Sequence, residues 1–223
     1  MIISGRYNGP PGTGNGGYTA GLVGGMLAPS PATVTLRRPP PLDVPLEVRK
    51  TDDGVLVVDA DGQVIAEAQR AAAPADPVAP VSAQEAARAG QAYPGFVDHP
   101  FPTCFVCGPK RAAGDGLRIF AGPVGDGRTA AVWRVPPEVS EPMMWAALDC
   151  PGGWAIISPG RPYVLGRMTA AVLALAPAGA ECVVVGQADG TEGRKAYVRS
   201  SVYGPDGELL AYAAATWIAI ENG

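Results

Sequence analysis

The residues with the clearest potential for chemistry fall at two places that are far apart in the sequence. Near the beginning, Asn15, Gly16 and Gly17 precede an apolar segment with helical spacing, although glycine is unfavourable inside helices. Glycine at this point lets the backbone approach a ligand closely, because no side chain stands in the way. The alternative is an ordinary turn in which Asn15 is the N-cap of the helix.

The second place is Asp149, which lies in a helix candidate around Met143 to Ile157. Apolar residues flank Asp149 on both sides, so its carboxyl group is expected to be partly desolvated. Desolvation raises the pKa of a carboxyl group and makes it a better base near neutrality. The alternative is a structural acid whose carboxylate is hydrogen-bonded locally.

Pro151 interrupts the second helix candidate. Proline removes one helical hydrogen bond and disfavours helix at the preceding residue, so we expect the helix to kink or restart there. Gly152 and Gly153 follow directly, and their N–H groups are an alternative set of donors for an oxyanion.

Cysteine and histidine residues raise the question of a metal. His99, Cys104 and Cys107 have a spacing compatible with zinc, and Cys150 is a candidate fourth ligand. Cys150 is alternatively a nucleophile beside Asp149, but no histidine is adjacent in the sequence to activate it. Our prediction is that no metal is bound, with the four-residue zinc site as the alternative.

The chain reads as two similar halves joined by a linker. We assign residues 1–71 to an N-terminal unit, 72–92 to an Ala/Pro-rich linker and 93–223 to a C-terminal unit. Residues 61–66 (DGQVIA) align with residues 206–211 (DGELLA), and each Asp-Gly pair predicts a tight hairpin turn between strands.

Each half is predicted to contain one helix and several strands. The first helix is expected over Tyr18 to Leu27 and the second over Met143 to Ile157. A strand pair is expected from residues 116–122 (GLRIFAG) and 129–135 (TAAVWRV), and one helical turn is expected in the linker. A helix followed by an antiparallel meander is an α+β unit in which the sheet covers the helix.

Residues 104–120, CFVCGPKRAAGDGLRIF, resemble the opening of many small hotdog-fold thioesterases, in which Cys-Phe-x-Cys-Gly leads to Gly-Leu-x-Leu. Those openings hold no metal. The resemblance implies an α+β double hotdog: two tandem hotdog units, each a central helix wrapped by an antiparallel sheet, form a pseudo-dimer.

In that family a His-Gly-Gly or Asn-Gly-Gly starts the helix, and an acid follows about two turns on. The resemblance therefore implies that Gly17, with Gly16, donates to the thioester carbonyl, where the helix dipole adds positive charge. Asn15 caps and shapes this loop. Asp149 resembles the family's acid, which acts as general base or nucleophile from the neighbouring unit.

The two halves complement each other. In the first half, Gly24 stands nine residues after Asn15, where the family has its acid. In the second half, residues 140–142 (Ser-Glu-Pro) stand where the glycine motif would be. The prediction is one composite site per chain, between the halves.

Other residues are assigned supporting roles by the same resemblance. Thr169 falls near a hydroxyl that holds the attacking water in relatives, although threonine is also common in strands. Cations are needed for the phosphates of coenzyme A. The candidates for substrate binding are Arg37, Arg38, Arg167, Arg194 and Lys195, with Gly152 and Gly153. The alternative for the arginines and the lysine is that they are solvated surface charges.

Composition limits the partners. The 223-residue chain has a net charge of −4 and scattered basic residues, which excludes a nucleic-acid footprint. Its apolar runs are shorter than a membrane span, and the N-terminus has no signal-peptide pattern, so we expect a cytoplasmic protein. The predicted activity is hydrolysis of a small-molecule acyl thioester, with coenzyme A only as part of the substrate and a homodimer possible. The alternative is a non-catalytic acyl-CoA or lipid binder.

Overall fold

The computed structural model describes residues 1–74, 76–158 and 160–220. Within them, ten strands form one antiparallel sheet in the order β2-β3-β4-β1-β7-β10-β9-β8-β6-β5. The strands are β1 (Ala32–Leu36), β2 (Glu47–Lys50), β3 (Gly54–Val58), β4 (Val64–Arg70), β5 (Gly122–Pro123), β6 (Arg128–Arg134), β7 (Tyr163–Val172), β8 (Glu181–Glu192), β9 (Lys195–Tyr203) and β10 (Leu209–Ala219). The predicted linker and C-terminal unit also include residues 75, 159 and 221–223, which lie outside the described residues.

Two α-helices pack on one face of this sheet and against each other. They are α1 (Gly16–Gly24) and α3 (Glu141–Trp154). Glycines of α1 make the close approach possible: a Cβ on Gly17 would lie 2.5 Å from the Cβ of Asp149, and a Cβ on Gly21 would lie 2.6 Å from the Cα of Pro142. The glycine content of α1 therefore follows from the distance between the helices.

The two halves are related by an approximate repeat, most clearly in their hairpins. The Gly62 N–H donates to the Asp59 carbonyl at 3.0 Å, and the Gly207 N–H donates to the Gly204 carbonyl at 3.0 Å. Both glycines have positive φ, 75° and 81°, the left-handed region that favours glycine. The order β2-β3-β4-β1 mirrors β8-β9-β10-β7, and the halves meet where β1 pairs with β7.

The predicted linker is packed rather than free. Its helix, α2 (Ala83–Gln91), is longer than the single turn expected and begins with a capping box between Ser82 and Glu85. Buried Ala86 and Ala89 pack with Ala130 and Val183, on the face of the sheet opposite α1 and α3. No described helix is long and apolar enough to cross a membrane.

Two local expectations are corrected by the structure. Of the two outcomes expected at Pro151, the restart of the helix is wrong, because α3 runs continuously to Trp154. The strand expected over GLRIFAG is also mostly wrong, because only the last residue of this segment, Gly122, lies in a strand, β5. Leu117 and Ile119 instead donate N–H groups to the carbonyls of Phe105 and Val106, so this segment pairs with the cysteine loop. The helix bounds moved by a few residues, and a short 3₁₀ turn extends α1 to Leu27.

Candidate active site

Asp149 lies where the start of α1 meets the middle of α3, and the residue is 2 % exposed. One carboxylate oxygen, Oδ2, accepts the Gly17 N–H at 2.9 Å and the Asn15 Nδ2 at 3.2 Å. The other oxygen, Oδ1, is buried and has no hydrogen-bond donor in the part of the chain that the structure describes. The structure thus brings the motif of the first half onto the acid of the second.

The surroundings of Asp149 raise the pKa of its carboxyl group to about 7. Burial is the main cause, because it penalises the charged form. The Gly17 N–H lowers the pKa by stabilising the carboxylate, the nearby Cys104 raises it electrostatically, and the Asn15 amide lowers it.

A cavity of about 370 Å³ opens beside Asp149. Asn15, Gly16 and Asp149 line it together with the cysteines, and its walls are mainly apolar. The apolar lining includes side chains that the sequence analysis did not assign to a site: Phe101, Trp154, Ile157, Tyr163, Leu165 and Trp217. No local sequence pattern identifies these side chains as a group, because they come from two loops, one helix and two strands.

The residues at the start of α1 have roles that differ in part from the predicted ones. The N–H of Gly17 points to Asp149, so in this arrangement it positions the carboxylate instead of facing a substrate oxygen. Gly16 lines the cavity, and its N–H makes no hydrogen bond to any described residue. Asn15 caps α1 as predicted, since its Oδ1 accepts the Tyr18 N–H at 2.8 Å.

Thr169 and Arg167 were assigned to the site wrongly. Both lie on the other face of the sheet, because inward-facing Met168 and Ala170 alternate with them along β7. The Thr169 hydroxyl is 2.7 Å from that of Thr33, and Arg167 donates to Thr35 Oγ1 at 2.9 Å.

Gly152 and Gly153 were also assigned wrongly as oxyanion donors. They lie inside the last turns of α3 and are buried. A Cβ on Gly152 would lie 2.7 Å from Val198, and one on Gly153 would lie 2.5 Å from the ring of Trp217. Both glycines therefore allow the helix to pack closely on the sheet.

The candidate cations separate into two groups. Arg37 and Arg38 line the cavity, and Arg37 forms an ion pair with Glu67 at 2.5 Å. The guanidinium group of Arg38 has no hydrogen bond or ion pair within the described ranges. Arg194 and Lys195 are exposed at the turn between β8 and β9 and do not line the cavity.

The cysteine cluster adjoins the same cavity. The Sγ atoms of Cys104, Cys107 and Cys150 all lie within 4.8 Å of one another, and all are buried free thiols. His99 Nε2 is 3.4 Å from Cys107 Sγ. The structure therefore brings together all four residues of the alternative zinc site.

Comparison with solved structures confirms the double hotdog fold. A conserved protein of unknown function with hot dog fold from Alicyclobacillus acidocaldarius shares 16 % identity, with 99 % of this chain and 92 % of that chain covered at a TM-score of 0.58. The tesB protein of Mycobacterium avium subs paratuberculosis shares 14 % identity over 95 % and 89 %, at 0.60. A candidate thioesterase of Novosphingobium aromaticivorans shares 16 % over 100 % and 94 %, at 0.59.

These likenesses define the class of fold: the whole chain is a double hotdog with both units in one polypeptide. No family model matches the sequence. No curated protein matches it either.

Proposed function

We propose that this chain hydrolyses acyl thioesters at the composite site between its two halves, with Asp149 as the general base. The observation that carries the proposal is the buried carboxylate beside an apolar cavity, with one oxygen held by Gly17 and Asn15 and the other unpartnered. An oxygen fixed in this way is able to accept a proton from a water molecule in the cavity.

The reaction requires three actions from the chain. Asp149 Oδ1 accepts a proton as water attacks the thioester carbonyl carbon. The Gly16 N–H, at the positive end of α1, donates to the oxyanion that forms. When the tetrahedral intermediate collapses, the carbon–sulfur bond breaks, and the proton on Asp149 passes to the departing thiolate. The carboxylate is then regenerated.

The cavity indicates the chemical class of the substrate. Its mainly apolar lining suits an acyl group, and the unpaired Arg38 at its edge suits a phosphate of the thiol carrier. A structural neighbour across the whole chain, from Novosphingobium aromaticivorans, is itself a candidate thioesterase. These features together favour an acyl thioester with a phosphorylated carrier such as coenzyme A.

The test measures hydrolysis of short, aromatic and long acyl-CoAs and of the same acyl groups on pantetheine. Asp149→Asn keeps the shape and an acceptor for the Gly17 N–H but removes the base, so turnover should fall about 100-fold or more. Asp61→Asn is the matched control, because Asp61 is exposed in a hairpin where asparagine is also favoured.

The outcomes separate the proposal from its rival. Loss of turnover in Asp149→Asn alone, with unchanged folding, would support the proposed base. Equal turnover in the wild type and Asp149→Asn would contradict it. Tight binding of acyl-CoA with no turnover across the whole panel would favour the non-catalytic acyl-CoA or lipid binder.

A further inference from the structure

No step of the hydrolysis proposed above involves the thiols of the three clustered cysteines. Cys104 and Cys107 lie on one loop, and Cys150 lies on α3, directly after Asp149. The Sγ atoms of Cys104 and Cys150 are 3.9 Å apart. A disulfide needs sulfur atoms about 2 Å apart, whereas two sulfur ligands of a tetrahedral zinc ion, at a Zn–S distance of about 2.3 Å, are about 3.8 Å apart.

The backbone holds the cysteine loop in a tight turn. The Gly108 N–H donates to the Cys104 carbonyl at 2.9 Å, and the Phe105 N–H donates to the Asn8 carbonyl at 2.8 Å. A Cβ on Gly108 would lie 2.5 Å from the backbone nitrogen of Cys104, so only glycine fits there. The loop therefore presents two thiols from a Cys-x-x-Cys spacing toward a third thiol on a helix.

His99 contacts the cluster but is oriented as a hydrogen-bond donor. Its Nδ1 accepts the Phe101 N–H at 2.9 Å, which places the proton of the neutral ring on Nε2. Nε2 then faces Cys107 Sγ at 3.4 Å and donates to it. This geometry makes His99 a partner of a ligand and not itself a ligand, which differs from the four-ligand alternative of the sequence analysis.

We propose that Cys104, Cys107 and Cys150 bind one Zn²⁺ ion, with the fourth coordination position toward the cavity. Three soft, buried thiolates whose Sγ atoms lie within 4.8 Å of one another select zinc over hard cations. The ion joins the cysteine loop to α3 at the residue after Asp149, so it fixes the position of the carboxylate. The ion thus positions the Asp149 carboxylate, whichever reaction the site performs.

The first experiment measures metal content and uses Co²⁺ as a probe on the full chain. The purified protein is expected to carry about one zinc per chain, and Co²⁺ exchanged into it should give the charge-transfer absorption of thiolate ligands. Ala substitutions of Cys104, Cys107 or Cys150 should each reduce zinc content to below about a tenth of that value. Cys182→Ala is the matched control: Cys182 is a buried cysteine outside the cluster and should leave zinc content unchanged.

A second measurement covers the case in which the cysteine variants fail to fold. In the wild type, zinc release should follow modification of three thiols by a mercurial reagent, and His99→Ala should still bind one Co²⁺ with about 10- to 100-fold weaker affinity. Protein with reduced thiols that neither carries zinc nor takes up Co²⁺ would overturn the proposal. So would a disulfide among the three cysteines, or equal loss of zinc in Cys182→Ala. Each of these outcomes stands whether or not the chain hydrolyses thioesters.

Discussion

Asp149 has two carboxylate oxygens in unequal surroundings. Oδ2 accepts hydrogen bonds from both Gly17 and Asn15, and Oδ1 accepts none from the described residues. A buried polar atom without a partner costs free energy, on the order of 1–3 kcal/mol. A fold retains such an atom most readily where a ligand or water molecule supplies the missing partner, which is what the proposed mechanism asks of Oδ1.

Asn15 performs two tasks with its two amide atoms, and a substitution separates them. In Asn15→Ser, the hydroxyl should still cap α1 by accepting the Tyr18 N–H but should be too short to reach Asp149. We therefore expect the free energy of unfolding to change by less than about 1 kcal/mol, while kcat falls about 10-fold or more.

The measurement pairs chemical denaturation with steady-state kinetics on the best acyl thioester of the panel. Asn15→Ala, which loses the cap as well, is the comparison variant and should be less stable by about 1 kcal/mol. Full activity in Asn15→Ser would show that the amide contact to Asp149 does not matter for turnover.

At the scale of elements, the glycine face of α1 sets how closely the two helices approach. A Cβ on Gly21 would meet the backbone of Pro142 at 2.6 Å and the Cβ of Trp145 at 2.8 Å, and neither atom can move away easily. Gly21→Ala should therefore lower stability by about 1–3 kcal/mol, despite the better helix propensity of alanine.

Gly25→Ala is the matched control for this prediction. It lies just after α1 with helical backbone angles, and its nearest neighbouring atom would be 3.8 Å from the added Cβ. Thermal unfolding of both variants should show a lower midpoint for Gly21→Ala and little change for Gly25→Ala. Equal midpoints would mean that the helices tolerate a wider separation.

The sequence predicted the helix–strand order and both Asp-Gly turns, because these depend on local propensity and on a repeat visible in the residues. The meeting of Asn15 with Asp149 was implied by the resemblance to hotdog thioesterases. The sequence failed where the answer depends on tertiary neighbours. The register of β7 decides on which face of the sheet the Thr169 side chain lies, and a shift of one residue would move that side chain to the opposite face. Gly152 and Gly153 look like an anion-binding turn in sequence, but Val198 and Trp217 show that they are packing positions.

Pro151 illustrates the same limit. A proline inside a helix removes the N–H of that residue and commonly ends the helix. Here the helix continues, and the Thr129 hydroxyl on β6 donates to the Pro151 carbonyl at 2.7 Å. This bond holds the end of α3 against a strand residue 22 positions away in the chain, a tertiary contact that local rules have no means of including, although it does not replace the N–H that Pro151 lacks.

At the scale of the whole molecule, one sheet runs through both halves, and this should make unfolding a single event. Val34 is fully buried on β1, the strand that pairs with β7 at the junction. Val34→Ala should lower stability by about 2 kcal/mol, and it should lower it equally for both halves.

The four tryptophans allow the unfolding of the second half to be followed by itself, because all of them lie between residues 133 and 217. Tryptophan fluorescence therefore follows the second half, and far-ultraviolet circular dichroism follows both. The two denaturation curves of Val34→Ala should coincide and shift together, whereas Val97→Ala, at a residue 95 % exposed, should shift neither. Separate transitions would mean that the halves unfold independently.

The covalent joining of the two hotdog units has a final consequence. The Gly17 N–H and the Asp149 carboxylate lie 132 positions apart in one polypeptide, so their encounter is intramolecular. The effective concentration of one partner around the other is set by the chain and not by the amount of protein in solution. Extreme dilution, which separates sites assembled from two subunits, leaves this pairing intact.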